Sequence, residues 1–161
     1  MCVAIINVIA VAQPEDPRGL IIPVEATSGL RLGPGISEPR GILGVRVGVL
    51  YALANNLIVV GPYAGGLFRN PGAVGLAELH TAFRFAAMGN ELGRFADLRV
   101  FLETGFLVGS DDSRSFVFGP GVILDSELLH LNIRLSRATE SNHYYLEIGV
   151  GTNLDLLIPR E

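Results

Sequence analysis

The sequence predicts an all-β fold, an antiparallel up-and-down barrel of about eight strands. Between Leu43 and Leu53 large apolar side chains occupy the odd positions, while Gly, Arg, Leu and Ala occupy the even ones. This period of two is typical of a strand. The same alternation recurs down the chain, in segments whose apolar face never carries a charge. No run of about 18 apolar residues is present, so a transmembrane helix is not predicted.

The beginning of the chain differs from the rest. Residues 2–11 form an apolar run that is closed by Ala-Val-Ala at 10–12 and followed by a polar break. Signal peptidase cuts at such a pattern of small residues. Residues 1–12 are therefore predicted to be a residual signal peptide, although its positively charged start is missing, and the alternative is an extra strand over 3–11. Residues 13–161 are predicted to form a single β-barrel domain.

Eight alternating segments follow in order, each separated from the next by residues that favour turns. The first is the least regular because it contains Pro23. The fourth also fits an amphipathic helix over 76–88, with Leu76, Leu79 and Phe83 on one face, so a helix remains an alternative there. The predicted strands cover residues 20–32, 43–53, 57–67, 76–85, 97–108, 115–124, 129–135 and 144–150.

The composition excludes several classes of protein. With 49% hydrophobic and 17% charged residues and a mean hydropathy of +0.43, the chain is apolar for a soluble protein. The net charge of -4 and the scattered arginines, with no lysine, argue against binding to nucleic acid. The single cysteine, Cys2, excludes an internal disulfide and a cysteine-based zinc site.

Two kinds of barrel fit this alternation, and they differ in which face is inside. An outer-membrane barrel turns the apolar face to lipid and the charged face to the lumen. We predict this transmembrane arrangement because the strands are long enough to cross hydrocarbon, the polar face is rich in glycine, and aromatic residues fall near both strand ends. The alternative is a soluble lipocalin-like barrel that binds a small apolar ligand in a cavity lined by Val45, Val47, Leu79, Phe83, Leu102, Leu131 and Ile148.

Three short segments carry a resemblance to a known family: Leu43 to Gly48, Leu102 to Phe106 and Leu146 to Gly151. They resemble strands of the small eight-stranded outer-membrane barrels of the OmpA transmembrane-domain and OmpX type. The resemblance implies a porin-like protein of the Gram-negative envelope, located in the bacterial outer membrane with membrane lipid as its partner. The charge-free apolar face leads to the main hypothesis, a non-enzymatic barrel with an envelope-structural or minor interaction role. The chain departs from this family at residues 158–161, which lack the usual terminal aromatic residue.

The polar face is predicted to fill a narrow lumen with paired charges. Arginine and glutamate occur there in nearly equal numbers, and buried charges must be paired and hydrogen-bonded. A plugged lumen is therefore expected, with no cofactor and no metal. The residues predicted to form this network are Arg31, Arg46, Glu78, His80, Arg84, Arg99, Glu103, His130, Asn132, Arg134 and Glu147.

A catalytic alternative starts from His130 and Asn132, two residues apart on one face, with Ser136 and Glu147 nearby in sequence. Outer-membrane lipid A deacylases resemble this arrangement, with a histidine and a serine two residues apart on a strand and a glutamate further on. Here asparagine stands in place of the serine, and asparagine cannot act as the nucleophile. A hydrolase is therefore the second alternative.

Overall fold

The computed structural model describes residues 19–34, 38–54, 56–69, 72–90, 93–109, 114–126 and 129–154, and it describes no side chains for 88–90 and 93–95. The predicted signal segment and residues 158–161 lie outside the described residues, as do parts of the predicted turns.

The described residues form ten strands, and two pairs of these strands are continuous apart from one residue. Ile22 separates the first two strands and Val49 separates the third from the fourth. Each of these pairs runs along the barrel wall as one strand, so the wall consists of eight strands, which we call staves. The strands are β1 (Leu20–Ile21), β2 (Pro23–Leu32), β3 (Arg40–Gly48), β4 (Leu50–Leu53), β5 (Ile58–Arg69), β6 (Ala73–Asn90), β7 (Gly93–Gly109), β8 (Arg114–Ser126), β9 (His130–Ala138) and β10 (His143–Asn153).

Each stave pairs antiparallel with the next, and the last pairs with the first. Along the closing seam Ile148 of β10 lies opposite Ser28 of β2. The predicted up-and-down barrel of eight staves is therefore confirmed, and the helix considered for 76–88 is wrong, because that segment lies in β6 and pairs with both β5 and β7. In the described ranges no helix is long and apolar enough to cross a membrane.

The two faces of the barrel have opposite polarity, and the charged face is inside. The neighbours Glu78 and Leu79 illustrate this, since Glu78 is 5% exposed in the lumen and Leu79 is 51% exposed on the outer surface. Along β3 the same alternation buries Arg46 and exposes Val45 and Val47. Because side chains alternate across a strand, one register places the charges near the middle of a strand on the inner face.

The lumen is layered along the barrel axis. We call the end that contains Leu20 and Asn153 the terminal end, and the other end, with the turn between β9 and β10, the distal end. A charged layer lies midway, between two apolar layers. The distal apolar layer consists of Ile42, Leu67, Val74, Leu76, Leu107, Val117, Ala138 and Tyr145. The terminal apolar layer consists of Ile21, Leu50, Val59, Tyr63, Ala82, Phe101 and Ile123.

Candidate functional site

The candidate site is the charged layer at the middle of the lumen. Six of the eight staves contribute to this layer. Each of the six has an acidic, basic or amide side chain that points into the lumen at a similar height along the barrel axis. Arg46 and Arg134 are 1% and 2% exposed, and the four glutamates around them are at most 5% exposed. Such a set of charges is stable in a low-dielectric interior only when the charges pair closely.

Arg46 is the first centre of this layer. Its guanidinium donates hydrogen bonds to both carboxylate oxygens of Glu147, each at 2.7 Å, and a further hydrogen bond to Glu78. Its Nη1 also lies 3.6 Å from a carboxylate oxygen of Glu103. One arginine on β3 therefore joins β10, β6 and β7 through ion pairs that cross the lumen.

Arg134 is the second centre. It donates to Glu25, to Glu103 at 3.3 Å and to the side-chain oxygen of Asn132 at 2.9 Å. Glu25 also accepts hydrogen bonds from Asn132 at 3.1 Å and from the Tyr63 hydroxyl at 2.9 Å. Glu25 is thus a member of the charged layer, and Tyr63 of the terminal apolar layer is hydrogen-bonded to it, although neither residue belongs to the predicted network.

The two lumen histidines each contact one carboxylate of this layer. His80 Nδ1 lies 3.0 Å from Glu103, and its ring packs between those of Tyr63 and Phe101 at centroid distances of 5.2 and 4.8 Å. His130 Nε2 lies 3.3 Å from Glu25. Two guanidinium groups thus face four carboxylates, and each imidazole lies beside one of these carboxylates.

Glycines opposite these side chains provide the space that the layer needs. A Cβ atom at Gly149 would lie 2.6 Å from the Asn132 side chain, and one at Gly48 would lie 2.9 Å from the Tyr63 ring. Both distances are shorter than real Cβ contacts allow. The small residues of the polar face therefore accommodate the large ones within a narrow lumen.

The eleven residues of the predicted network occupy three different places. Arg84 and Arg99 lie near the terminal end, where Arg99 donates to Asp97 at 2.9 Å and lies 3.7 Å from Asp125. Arg31 lies near the distal end, where it is hydrogen-bonded at 2.9 Å to the ring of His143. The structure brings together in the charged layer the remaining eight: Arg46, Glu78, His80, Glu103, His130, Asn132, Arg134 and Glu147.

The residues of the hydrolase alternative all face the lumen. His130 and Asn132 are 2% and 1% exposed, so the outer surface of the barrel does not give access to them. The carboxylate next to His130 belongs to Glu25, whereas Glu147 is bound by Arg46. Among the described side chains no three His, Cys, Asp or Glu residues converge as a metal site would require.

The residues of the apolar-ligand alternative are all on the outside. That alternative requires an apolar lining of the cavity, whereas the structure places these side chains, from 43% to 61% exposed, on the outer surface. They are Val45, Val47, Leu79, Phe83, Leu102, Leu131 and Ile148.

Two solved structures have a similar fold. One comes from the de novo design of transmembrane β-barrels, with 16% sequence identity, a TM-score of 0.55, and coverage of 88% of this chain and 99% of the other. The second is the solution NMR structure of the designed protein TMB2.3, with 17% identity, a TM-score of 0.52, and coverage of 88% and 98%. No protein-family model and no curated protein matches the sequence.

These likenesses concern the fold, and the charged inner face and apolar outer face agree with them. The fold of this chain is that of a closed, eight-stranded transmembrane β-barrel.

Proposed function

We propose that this chain is a non-enzymatic integral protein of the bacterial outer membrane, a plugged barrel of the OmpA and OmpX type with an envelope-structural or minor interaction role. The observation that carries the proposal is the inverted polarity, with ion pairs in the lumen and apolar side chains outside. In water this arrangement would expose a continuous apolar surface, which soluble monomers rarely do. In a bilayer the same surface is in contact with lipid.

The outer surface has the features of a lipid-facing barrel. Large apolar side chains are exposed on all eight staves. Aromatic residues lie near both ends of this surface, as in the interfacial girdles of membrane barrels. The terminal group includes Tyr51, Phe83 and Phe85, and the distal group includes Phe68, Phe106, Phe116 and Tyr144.

The lumen supports a structural role rather than transport. Ion pairs fill its middle, and an apolar layer lies on each side of them. A water-filled channel needs a wider barrel than eight strands provide. The buried charges bind each other, so they are not available for a reaction on a substrate.

Insertion can be tested with single tryptophans, because the natural sequence has none. L79W places a tryptophan on the lipid-facing surface near mid-strand, and S141W places one in the turn between β9 and β10. In vesicles that contain brominated phospholipid we expect strong quenching of L79W by the bromines. We expect S141W to be quenched by aqueous iodide instead.

The location in the cell is tested separately, by expressing the full chain in a Gram-negative host and separating the membranes by density. Recovery with the outer membrane, and only with detergent, supports the proposal. An exported chain that is recovered in the soluble fraction would contradict it, as would equal iodide quenching of both tryptophan variants.

A further inference from the structure

The distal mouth of the barrel holds an open cavity of about 370 Å³, which we call the vestibule. It is separate from the charged layer, because the distal apolar layer lies between the two. The polar side chains that line the vestibule are Arg31, Arg69, Arg114, Ser115, Glu140, Ser141 and Tyr145.

The floor of the vestibule is apolar and closed. Val74 and Leu107 form part of it, and both are buried members of the distal apolar layer. Tyr145 is also buried in that layer, while its hydroxyl accepts a hydrogen bond from Arg69 at 3.3 Å. The vestibule is therefore a blind cup that can bind a molecule but does not lead through the barrel. A low-dielectric floor also strengthens the attraction between the arginines and an anion.

The arginines of the vestibule differ from those deeper in the lumen. Arg46 and Arg134 each bind carboxylates, as described above. In contrast, within the ranges that the structure describes, neither Arg69 nor Arg114 forms an ion pair with a carboxylate. Among the described side chains, Glu140 is the one acid that lines the vestibule, and it already accepts hydrogen bonds from the Phe116 amide at 2.9 Å and the Thr139 hydroxyl at 2.7 Å.

The two ends of the barrel also differ in charge. At the terminal end, among the described side chains, Arg84 and Arg99 face Asp97 and Asp125 in equal number. At the distal end the described side chains include two glutamates, Glu38 and Glu140, and five arginines. Those arginines are Arg31, Arg40, Arg69, Arg114 and Arg137. Among the described side chains of the distal end, positive charges therefore outnumber negative ones, in a protein whose net charge is -4.

We infer that the vestibule binds a phosphate-bearing ligand, with the guanidinium groups of Arg69 and Arg114 as its principal contacts. Arginine is suited to phosphate because its planar fork donates two parallel hydrogen bonds to two oxygens. The ligand is either a soluble phosphate compound or the headgroup of a membrane lipid. The second source has access because Arg114 also borders an outer groove of about 340 Å³, which is lined besides by Phe106, Val108, Phe116 and Glu140.

This inference goes beyond the proposed envelope role and can be tested in micelles. The full chain, labelled with ¹⁵N, is folded in a maltoside detergent that contains no phosphate, and the arginine Nε–H signals are followed at constant ionic strength. One arm of the experiment adds inorganic phosphate. The second arm adds a short-chain phosphatidic acid to the micelles, with the matching diacylglycerol as its uncharged control.

We expect saturable shifts of the Arg69 and Arg114 signals in at least one arm. A response to inorganic phosphate assigns the site to soluble ligands, and a response to phosphatidic acid alone assigns it to a headgroup. R69Q/R114Q should weaken the affinity about tenfold or more, since each substitution removes a charge-assisted contact. The control R137Q removes a positive charge from the same end but outside the vestibule, where Arg137 donates to Asn142 at 2.8 Å.

Two results would overturn the inference. The first is the absence of a saturable shift in both arms. The second is an equal loss of affinity in R137Q and R69Q/R114Q, because the attraction would then come from the general charge of this end. Circular dichroism melting of each variant shows whether its barrel is folded, and the single variants R69Q and R114Q replace the double variant if that one fails to fold.

Discussion

The strongest test of the charged layer is the removal of one of its two arginines. R46M keeps a long, flexible side chain but removes the positive charge that binds Glu147 at 2.7 Å and also binds Glu78. Both carboxylates are buried, with side chains only 1% exposed, so they would remain in the lumen without a cation. Breaking a buried pair in this way costs about 3–5 kcal/mol of unfolding free energy.

The measurement is equilibrium unfolding in urea from phospholipid vesicles, followed by far-ultraviolet circular dichroism. R40M is the matched control, because Arg40 lies on the same strand but is exposed, and we expect a change within about 0.5 kcal/mol. The double variant R46M/E147Q should be destabilised by less than the sum of R46M and E147Q, because it removes both partners. The reasoning would be refuted if R46M lost less than about 1 kcal/mol of unfolding free energy, or if the losses of R46M and E147Q added fully in the double variant. Either result would mean that the lumen charges are solvated.

Three further outcomes are expected. G121A should cost about 1–3 kcal/mol in the same unfolding assay, because its methyl group would collide with the Phe101 ring, whereas G75A meets no atom nearer than 3.8 Å and should be neutral. In the turn outside the membrane, the hydrogen bond from the Thr139 hydroxyl lowers the pKa of the Glu140 carboxyl. T139V should therefore raise that pKa towards its usual value, measured by carbon NMR titration, and an unchanged pKa would contradict the assignment. In a planar bilayer the protein should show no discrete conductance steps of an open pore, and regular steps would contradict a plugged lumen.

Much of the fold could be predicted from the sequence because the two faces of each strand differ so strongly. Parity alone separates Glu78 from Leu79, and a slip by one residue would exchange them. The choice between strand and helix at 76–88 could not be made locally, since Ala-rich segments fit both periods. Pairing with β5 on one side and β7 on the other decides it, and such pairing is a property of the whole barrel.

The strand ends were less predictable. β6 and β7 run as Ala73–Asn90 and Gly93–Gly109, longer than the predicted 76–85 and 97–108. Gly89 and Asn90 favour turns, yet the ladder continues through them with a register irregularity. Local turn propensity is therefore overridden by cross-strand hydrogen bonds where two neighbouring strands extend together.

The candidate site could likewise be predicted only in part. Parity predicts which side chains enter the lumen but not their height along the axis, so Arg31 belongs to the polar face yet lies at the distal mouth. Partner choice depends on the stagger between staves, which the sequence does not reveal. The sequence did not indicate Tyr63, because it follows Gly61 and Pro62 in a stretch with little alternation. Phe101 contacts Arg134 through the face of its ring, with the guanidinium carbon 5.7 Å from the ring centroid.

The positions of the ion pairs explain how the barrel selects its closed register. Arg46 of β3 binds Glu147 of β10 across β2, and Arg134 of β9 binds Glu25 of β2 across β10. Both pairs therefore straddle the seam where β10 meets β2. A shift of one residue along this seam would turn charges towards lipid, and each arginine at mid-membrane would then cost about 2–4 kcal/mol of stability. A shift of two residues would keep the charges inside but separate the paired arginines and glutamates. Buried ion pairs add little net stability compared with apolar packing, so their greater effect here is to penalise every other closure.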